Sequence, residues 1–135
     1  MAKGEIDRAR AAFVQELALD PDEFTSNLNL GVLAKQDQDY AGARRYFERA
    51  LKARPNDPGV RYQIANVDLA TGNADQARQS LEALIVESPD FAEAHATLAR
   101  VYYRLDRRAD GDRERALSQK LMDQRDAAQT GAKPR

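Results

Sequence analysis

Apolar side chains in this chain recur at three- and four-residue spacings, which place them along one face of a helix. Two such stretches occur in every 34 residues or so, and polar turns such as residues 35–39 separate them. Strand signals are weak, because Val, Ile and Thr never alternate with polar residues over a long run. The pattern therefore predicts pairs of amphipathic helices, for example over about residues 23–36 and 40–53.

An internal repeat of 34 residues organises the whole chain. Pro21, Pro55 and Pro89 are spaced by this period. Further positions keep the same spacing, namely Ala9, Ala43 and Ala77; Phe13, Phe47 and Leu81; Leu30, Ile64 and Leu98; and the small residues Gly31, Ala65 and Ala99. A fixed period of this length indicates a solenoid, because one helix pair cannot bury its apolar face without a stacked neighbour.

Helix boundaries are marked by turn and cap residues. Each periodic proline ends the helix before it, since its ring cannot continue the hydrogen-bond ladder. Asp57 before Pro58 predicts a helix start, and Asp90 with Glu93 has the spacing of a capping box. Gly72 is expected to adopt a positive φ in the turn of its helix pair.

The repeat resembles the tetratricopeptide repeat (TPR), whose pattern is W-x2-L-G-x2-Y, then A-x3-F, then P. In residues 22–55, Leu30-Gly31, Ala43, Phe47 and Pro55 match this pattern. The aromatic positions depart from this pattern, and so does the second half of the third repeat, where Gly111, Arg115 and Asp123 stand in place of Ala, Phe and Pro. The tryptophan position holds a polar residue in each repeat, namely Asn27, Arg61 and His95.

The resemblance implies an all-α fold, a right-handed α-α superhelix of antiparallel helix pairs with about seven helices. We expect a single domain over residues 1–126 and a flexible tail over 127–135. The domain is predicted to hold a half repeat at 4–21 and repeats at 22–55, 56–89 and 90–123, the last with a degenerate capping helix. Leu117, Leu121 and Met122 are expected to cover the open end of the stack. A generic helical bundle is the competing architecture, while regular helix breakers exclude a long coiled coil.

TPR proteins present the first helix of each pair on a concave face, where ligands lie, so the resemblance implies a scaffold that binds a peptide or a partner surface. Carrying the groove positions over defines a predicted groove of eleven residues: Leu28, Asn29, Val32, Lys35, Tyr62, Gln63, Asn66, Leu69, Arg100, Tyr103 and Arg104. Apolar positions beside amides suit a peptide. For each residue taken singly, ordinary packing or solvation is the competing interpretation, and Tyr62 and Tyr103 in particular can pack against neighbouring helices.

Several partner classes are not predicted. Leu28 and Val32 occupy positions where a chaperone-tail clamp needs Lys and Asn. Six arginines between residues 100 and 115 are interleaved with acids, and the formal net charge is −1, so we predict a solvated mixed-charge face and no nucleic-acid partner. No stretch approaches the roughly 18 apolar residues of a membrane span, so no membrane insertion is expected.

Candidate chemistry is sparse, so we predict no enzyme, no metal and no cofactor. The sequence contains one histidine and no cysteine, and its seven glycines are scattered. His95 is expected to have a packing role. The rival hypothesis of an enzyme predicts a pocket of converging titratable groups around His95, and a fully packed His95 would remove it.

A structural role is the second functional hypothesis. The first predicted helix has no predecessor in this sequence, which leaves Ile6, Phe13 and Leu17 short of cover, so the chain is expected to self-associate as a homo-oligomer or extend an array through its ends. A start inside a repeat indicates either a fragment or a natural array with a helical cap. The polar first ten residues do not resemble a signal peptide, which favours the cytoplasm. Arginine outnumbers lysine, 16 to 5, as in GC-rich bacterial genomes.

Overall fold

The computed structural model describes residues 2–131, and within that range the chain forms seven α-helices and no strand. This result confirms the predicted all-α class and the predicted helix number for the described residues. The helices are α1 (Lys3–Leu19), α2 (Phe24–Gln36), α3 (Tyr40–Ala53), α4 (Pro58–Ala70), α5 (Ala74–Glu87), α6 (Ala92–Arg104) and α7 (Arg108–Gln129).

The chain divides into two compact units, Met1–Val67 and Asp68–Arg135, with the boundary inside α4. In the first unit α2 packs against α1 and α3, and in the second unit α6 packs against α5 and α7. The single domain predicted over residues 1–126 stays a prediction. Helix α7 continues three residues into the predicted tail, whose last residues, 132–135, lie outside the described part of the chain.

The turn inside each helix pair has the same geometry in all three repeats. Its central residue has a positive φ, 62° at Gln38, 87° at Gly72 and 62° at Asp106. The next N–H then donates to the carbonyl five residues earlier, in the pairs Asp39–Ala34, Asn73–Asp68 and Arg107–Tyr102, each at 2.8 Å. This bond is the six-to-one bond of a Schellman motif. The prediction for Gly72 is confirmed, and the motif holds even where a side chain disfavours positive φ.

Acidic side chains cap three of the helices that follow turns. Asp57 Oδ2 accepts from the N–H of Val60 at 3.1 Å, which confirms the predicted start of α4. Asp39 accepts from Gly42, and Glu23 accepts from Thr25 and Ser26. These contacts satisfy helix N–H groups that have no intrahelical partner.

The predicted capping box of Asp90 and Glu93 is wrong. Helix α6 begins one residue later than that box requires, with Phe91 at the N-cap and no side-chain hydrogen bond there. Glu93 pairs with Arg125 of α7 instead, at 2.6 Å, and this contact holds the pKa of Glu93 below its ordinary value. The carboxylate therefore joins two helices and does not cap its own.

The core of the first unit forms where α2 and α3 approach closely. Phe47 is fully buried in a cluster with Ala43, Ala50, Val60 and Val67. The ring of Phe47 lies against the backbone of α2 at Gly31, where an added Cβ would be 2.6 Å from Cδ1 of the ring. The absence of a side chain at this position therefore sets the distance between the two helices.

In the second unit a buried phenol joins α5 and α6. Tyr102 is 7% exposed, and its hydroxyl donates to Glu82 Oε2 at 3.1 Å. Arg78 holds the same carboxylate from the preceding turn of α5, at 2.5 Å. Burial, and then the charge of Glu82, raise the pKa of Tyr102 to about 12.

Polar and apolar side chains both connect α7 to the rest of the second unit. Ser118 is buried and its hydroxyl donates to the carbonyl of Ala92 at 2.8 Å. Leu121 and Met122 are half-buried, whereas Leu117 is 38% exposed. Leu117 keeps more of its surface open than these two residues do, and the expectation that all three cover the end of the stack stays a prediction.

Gly31→Ala should destabilise the first unit, because the new methyl group collides with the buried ring of Phe47. The helix gains about 0.5–1 kcal/mol from replacing glycine, but overpacking costs about 1–3 kcal/mol, so we expect a net loss of about 1 kcal/mol. In a Phe47→Leu background the sign should reverse. Urea denaturation followed by circular dichroism measures both effects, and Gly4→Ala, where an added Cβ meets nothing within 4 Å, is the control.

The pKa of Tyr102 predicts a loss of stability at high pH. In the unfolded chain the phenol ionises near pH 10, whereas in the folded chain it keeps its proton up to about pH 12. The stabilisation is therefore complete below pH 10 and lost as the pH rises towards 12. Between pH 9 and pH 11 the wild type should lose about 1 kcal/mol more unfolding free energy than Tyr102→Phe. Equal losses for the two proteins would contradict this assignment.

Candidate protein-interaction surface

Seven residues of the predicted groove lie in the first unit, on α2 and α4, and all are half-buried. Lys35 Nζ of α2 donates to Gln63 Oε1 of α4 at 2.5 Å, so these two predicted residues meet directly. Leu28 and Val32 pack against the buried cluster around Phe47 while keeping part of their surface open. This part of the prediction therefore combines a partly exposed apolar strip with a polar bridge between helices.

The amides of this surface bond to their own helices through their nitrogens. Asn29 Nδ2 donates to the carbonyl of Thr25 at 2.9 Å, and Asn66 Nδ2 donates to the carbonyl of Tyr62 at 3.1 Å. Each bond orients its amide, whose oxygen is an acceptor and whose second N–H is a donor. Oriented amides beside apolar surface suit the recognition of a peptide backbone.

The four remaining residues lie in the second unit and differ in exposure. Leu69 is 6% exposed, so its inclusion among open groove residues is wrong, since the side chain is part of the core. Arg100 and Arg104 are exposed on α6. Arg100 donates to Thr97 Oγ1 at 3.1 Å, and Arg104 approaches the carbonyl of Leu69 at 3.5 Å. Both arginines therefore lie at the surface of α6.

Tyr103 is held against α7. Its ring lies on the backbone of Gly111, where an added Cβ would be 2.6 Å from Cε1 of the ring. Its hydroxyl donates to Asp112 Oδ1 at 2.6 Å, and this bond raises the pKa of Tyr103. Tyr103 therefore has the packing role that was the competing interpretation, although the side chain keeps partial exposure.

The tryptophan position of the repeat holds a polar anchor in both units. In the first unit Asn27 is fully buried, and its Nδ2 donates to the carbonyls of Pro21 and Glu23, each at 3.0 Å. In the second unit His95 is 3% exposed, and its Nε2 lies 2.8 Å from the carbonyl of Pro89. Both side chains bond to the periodic proline six residues earlier. Sequence reasoning missed this function, although the shared position of two donors was a signal for it.

His95 has a partner at each ring nitrogen. Nδ1 lies 2.6 Å from Glu114 Oε2, and Glu114 itself is largely buried. The imidazole is therefore packed between a carbonyl and a carboxylate of its own unit, as its predicted packing role requires. Within residues 2–131 no three His, Asp or Glu side chains gather as metal ligands.

The arginine-rich region carries ion pairs on its surface. Arg107 pairs with Asp110 at 2.8 Å, and Arg113 pairs with the same carboxylate. On α5, Arg78 pairs with Asp75 and lowers the pKa of that carboxyl. Paired charges of both signs match the predicted solvated face.

The chain belongs to the tetratricopeptide-repeat family. Two family profiles described as tetratricopeptide repeat match it, one over residues 34–101, which is half of the chain, and the other over residues 1–58. Repeat proteins of this kind use extended concave surfaces for binding. This chain is therefore, in general terms, a protein-interaction scaffold, and its partners are expected to be proteins.

Solved structures share the fold. MamA from Desulfovibrio magneticus RS-1, from residue 41 to its end, has a TM-score of 0.77 at 19% identity, covering 91% of this chain and 70% of that one. MamA of strain MSR-1 has a TM-score of 0.70 at 21% identity, covering 90% and 70%. At this identity the likeness establishes the repeat fold alone.

Curated relatives match over part of their length. The TPR repeat-containing thioredoxin TTL4 of Arabidopsis thaliana is 33% identical over 88 residues, 64% of this chain and 13% of the relative. The mouse Protein O-mannosyl-transferase TMTC1 is 28% identical over 74 residues, 55% and 8%. The chain thus spans about a tenth of these relatives, and the activities in their names belong to those proteins. Among the helices within residues 2–131, none has the length and apolar character to cross a bilayer.

Replacing His95 should reduce stability according to the hydrogen bonds that the new side chain keeps. His95→Leu leaves the Pro89 carbonyl and Glu114 without their imidazole partner, which should cost about 2–3 kcal/mol of unfolding free energy. His95→Asn can repeat the bond that Asn27 makes to Pro21, so its loss should be smaller. Urea denaturation of both variants measures the difference. Equal losses would show that the carbonyl bond contributes nothing.

Proposed function

We propose that this chain binds a peptide or a partner surface through the predicted groove residues, on exposed parts of α2 and α4 in the first unit and of α6 in the second. The first helix of every repeat supplies these residues, and family membership makes protein binding the general function. The observation that carries the proposal is the surface of the first unit, where half-buried apolar side chains lie beside oriented amides.

The first unit supports this proposal through its combination of contacts. Leu28 and Val32 are anchored in the core and still partly open, so a partner side chain can cover them with little loss of their rotamer freedom. Asn29 and Asn66 are held by bonds to their own helices. Pre-oriented groups of this kind reduce the entropy lost on binding.

The second unit supports the proposal through exposed cations. Arg100 and Arg104 stand one helical turn apart on α6, and arginine is enriched among residues that dominate interface energies. Leu69 and Tyr103 contribute less, because the first is buried and the second is fixed to α7. We therefore place the binding determinants of this unit on the two arginines.

Arg100→Glu with Arg104→Glu should abolish partner capture. Wild type, this variant and a matched control are immobilised and exposed to a native lysate, and retained proteins are identified by mass spectrometry. The control, Arg45→Glu with Arg49→Glu, makes the same charge change at exposed positions of α3. A protein retained by wild type and control, and lost by the α6 variant, is the expected result. Binding is then repeated with the purified partner.

The proposal is contradicted if all three proteins retain the same partners. Circular dichroism of each variant has to show unchanged helix content, so that lost capture does not reflect lost folding. Adding Tyr62→Ser then tests whether the first unit takes part in the same interaction.

Self-association through the ends remains the competing hypothesis, and one observation favours it. Helix α1 has no fully buried residue, and Leu19 and Val14 are 85% and 52% exposed. Light scattering that gives the mass of one chain across a wide concentration range would exclude this hypothesis.

A further inference from the structure

A cleft of about 410 Å³ opens between α1 and α2 in the first unit. Its lining contains no charged side chain, and five of its seven residues are apolar. Clefts of this volume are large enough to hold a ligand. The lining residues are Ile6, Ala9 and Phe13 of α1 with Asn29, Val32, Leu33 and Gln36 of α2.

The 34-residue repeat identifies the equivalent place in the same unit. Ala9 and Phe13 correspond to Ala43 and Phe47 of α3, and Asn29 corresponds to Gln63 of α4. The faces of α3 and α4 that correspond to the cleft are covered by a helix, α2. Gly31 of α2 contacts the ring of Phe47, and Lys35 of α2 donates to Gln63. The chain therefore contains an occupied copy of the site that the cleft leaves open.

The exposure of equivalent residues shows what this helix contributes. Ala43 and Phe47 are fully buried, whereas Ala9 and Phe13 are half-buried. The residue type is the same in each pair. The difference in burial therefore arises because α2 covers α3. An added helix over α1 would bury Ala9 and Phe13 in the same way, with the hydrophobic gain that such burial brings.

We propose that the cleft binds an amphipathic helix of a partner protein, of about the length of α2. The residues of α2 indicate which side chains such a partner helix needs. A glycine must face Phe13, because at the equivalent contact even a Cβ added at Gly31 would be 2.6 Å from Cδ1 of the Phe47 ring. A donor one turn later, such as Lys or Gln, can reach Asn29 as Lys35 reaches Gln63.

A helix fits this lining better than an extended peptide. An extended backbone presents N–H and C=O groups that need partners, and Asn29 and Gln36 are the two polar side chains among the lining residues. A helix satisfies its backbone internally and presents only side chains, as in other helix-in-groove complexes.

A second copy of this chain is a poorer occupant than a separate partner. The helices of the required type are α2, α4 and α6, and each already buries its own apolar face, including Leu30, Ala65 and Leu98. A second copy would have to release one of them. This site shares Asn29 and Val32 with the proposed groove and differs from it in α1, which contributes three lining residues and none of the predicted groove residues.

The test uses a synthetic peptide with the sequence of residues 22–37, which includes α2 and its cap. The fluorescein-labelled peptide is titrated with the intact protein and followed by fluorescence anisotropy. We expect saturable binding to wild type and at least about tenfold weaker binding to Ala9→Phe, whose added ring fills the cleft. Ala12→Phe, the same change at an exposed position of α1, should bind as wild type does.

A change in the peptide makes the test independent of the folding of any variant. Replacing its glycine, at the position of Gly31, by leucine should weaken binding to wild-type protein by at least about tenfold. Arg100→Glu with Arg104→Glu should leave peptide binding unchanged, which separates this site from the proposed groove.

Three results would overturn the inference. The first is no saturable binding up to about 1 mM protein. The second is equal binding by wild type and Ala9→Phe, or by the glycine and leucine peptides. The third is a dimer, seen by light scattering, that Ala9→Phe converts to a single chain, because a second copy would then fill the cleft.

Discussion

Each helix pair in this chain has apolar faces that it cannot cover by itself, and the rest of the structure depends on how they are buried. Phe47 has helices on both sides and is fully buried, while Phe13, at the same position of the repeat, has cover on one side and is half-buried. Close approach is possible because Gly31 has no side chain to separate α2 from α3. Burial of this kind supplies most of the free energy of such folds.

Polar side chains stand at the tryptophan position of the repeat, and they hold the preceding turn in place through hydrogen bonds. Asn27 and His95 are both buried, and each bonds to the carbonyl of the proline that ends the preceding repeat. A tryptophan would fill this position by volume, whereas these residues tie the preceding turn to the helix through hydrogen bonds. Buried donors of this kind are costly when unpaired, so the turn and the side chain depend on each other.

The first unit presents two neighbouring surfaces with different chemistry. The predicted groove residues on α2 and α4 combine apolar strips with oriented amides. The cleft on α1 is uncharged and has the lining that α2 covers one repeat later. Asn29 and Val32 belong to both, so occupation of the cleft by a helix would change the surface available to a groove ligand. The two binding proposals are therefore physically linked while remaining separately testable.

The sequence alone was enough to predict the all-α class, the period and the approximate helix bounds, because apolar spacing, prolines and turn residues act through local geometry. It also indicated the family, through Leu30-Gly31, Ala43 and Phe47 in register. Tertiary structure decided the exposure of each candidate residue: Leu69 is buried, Tyr103 is fixed to Gly111 and Asp112, and Glu93 pairs with Arg125 and does not cap α6. These outcomes depend on residues far apart in the chain, and neither periodicity nor helix propensity contains information on which distant side chains meet.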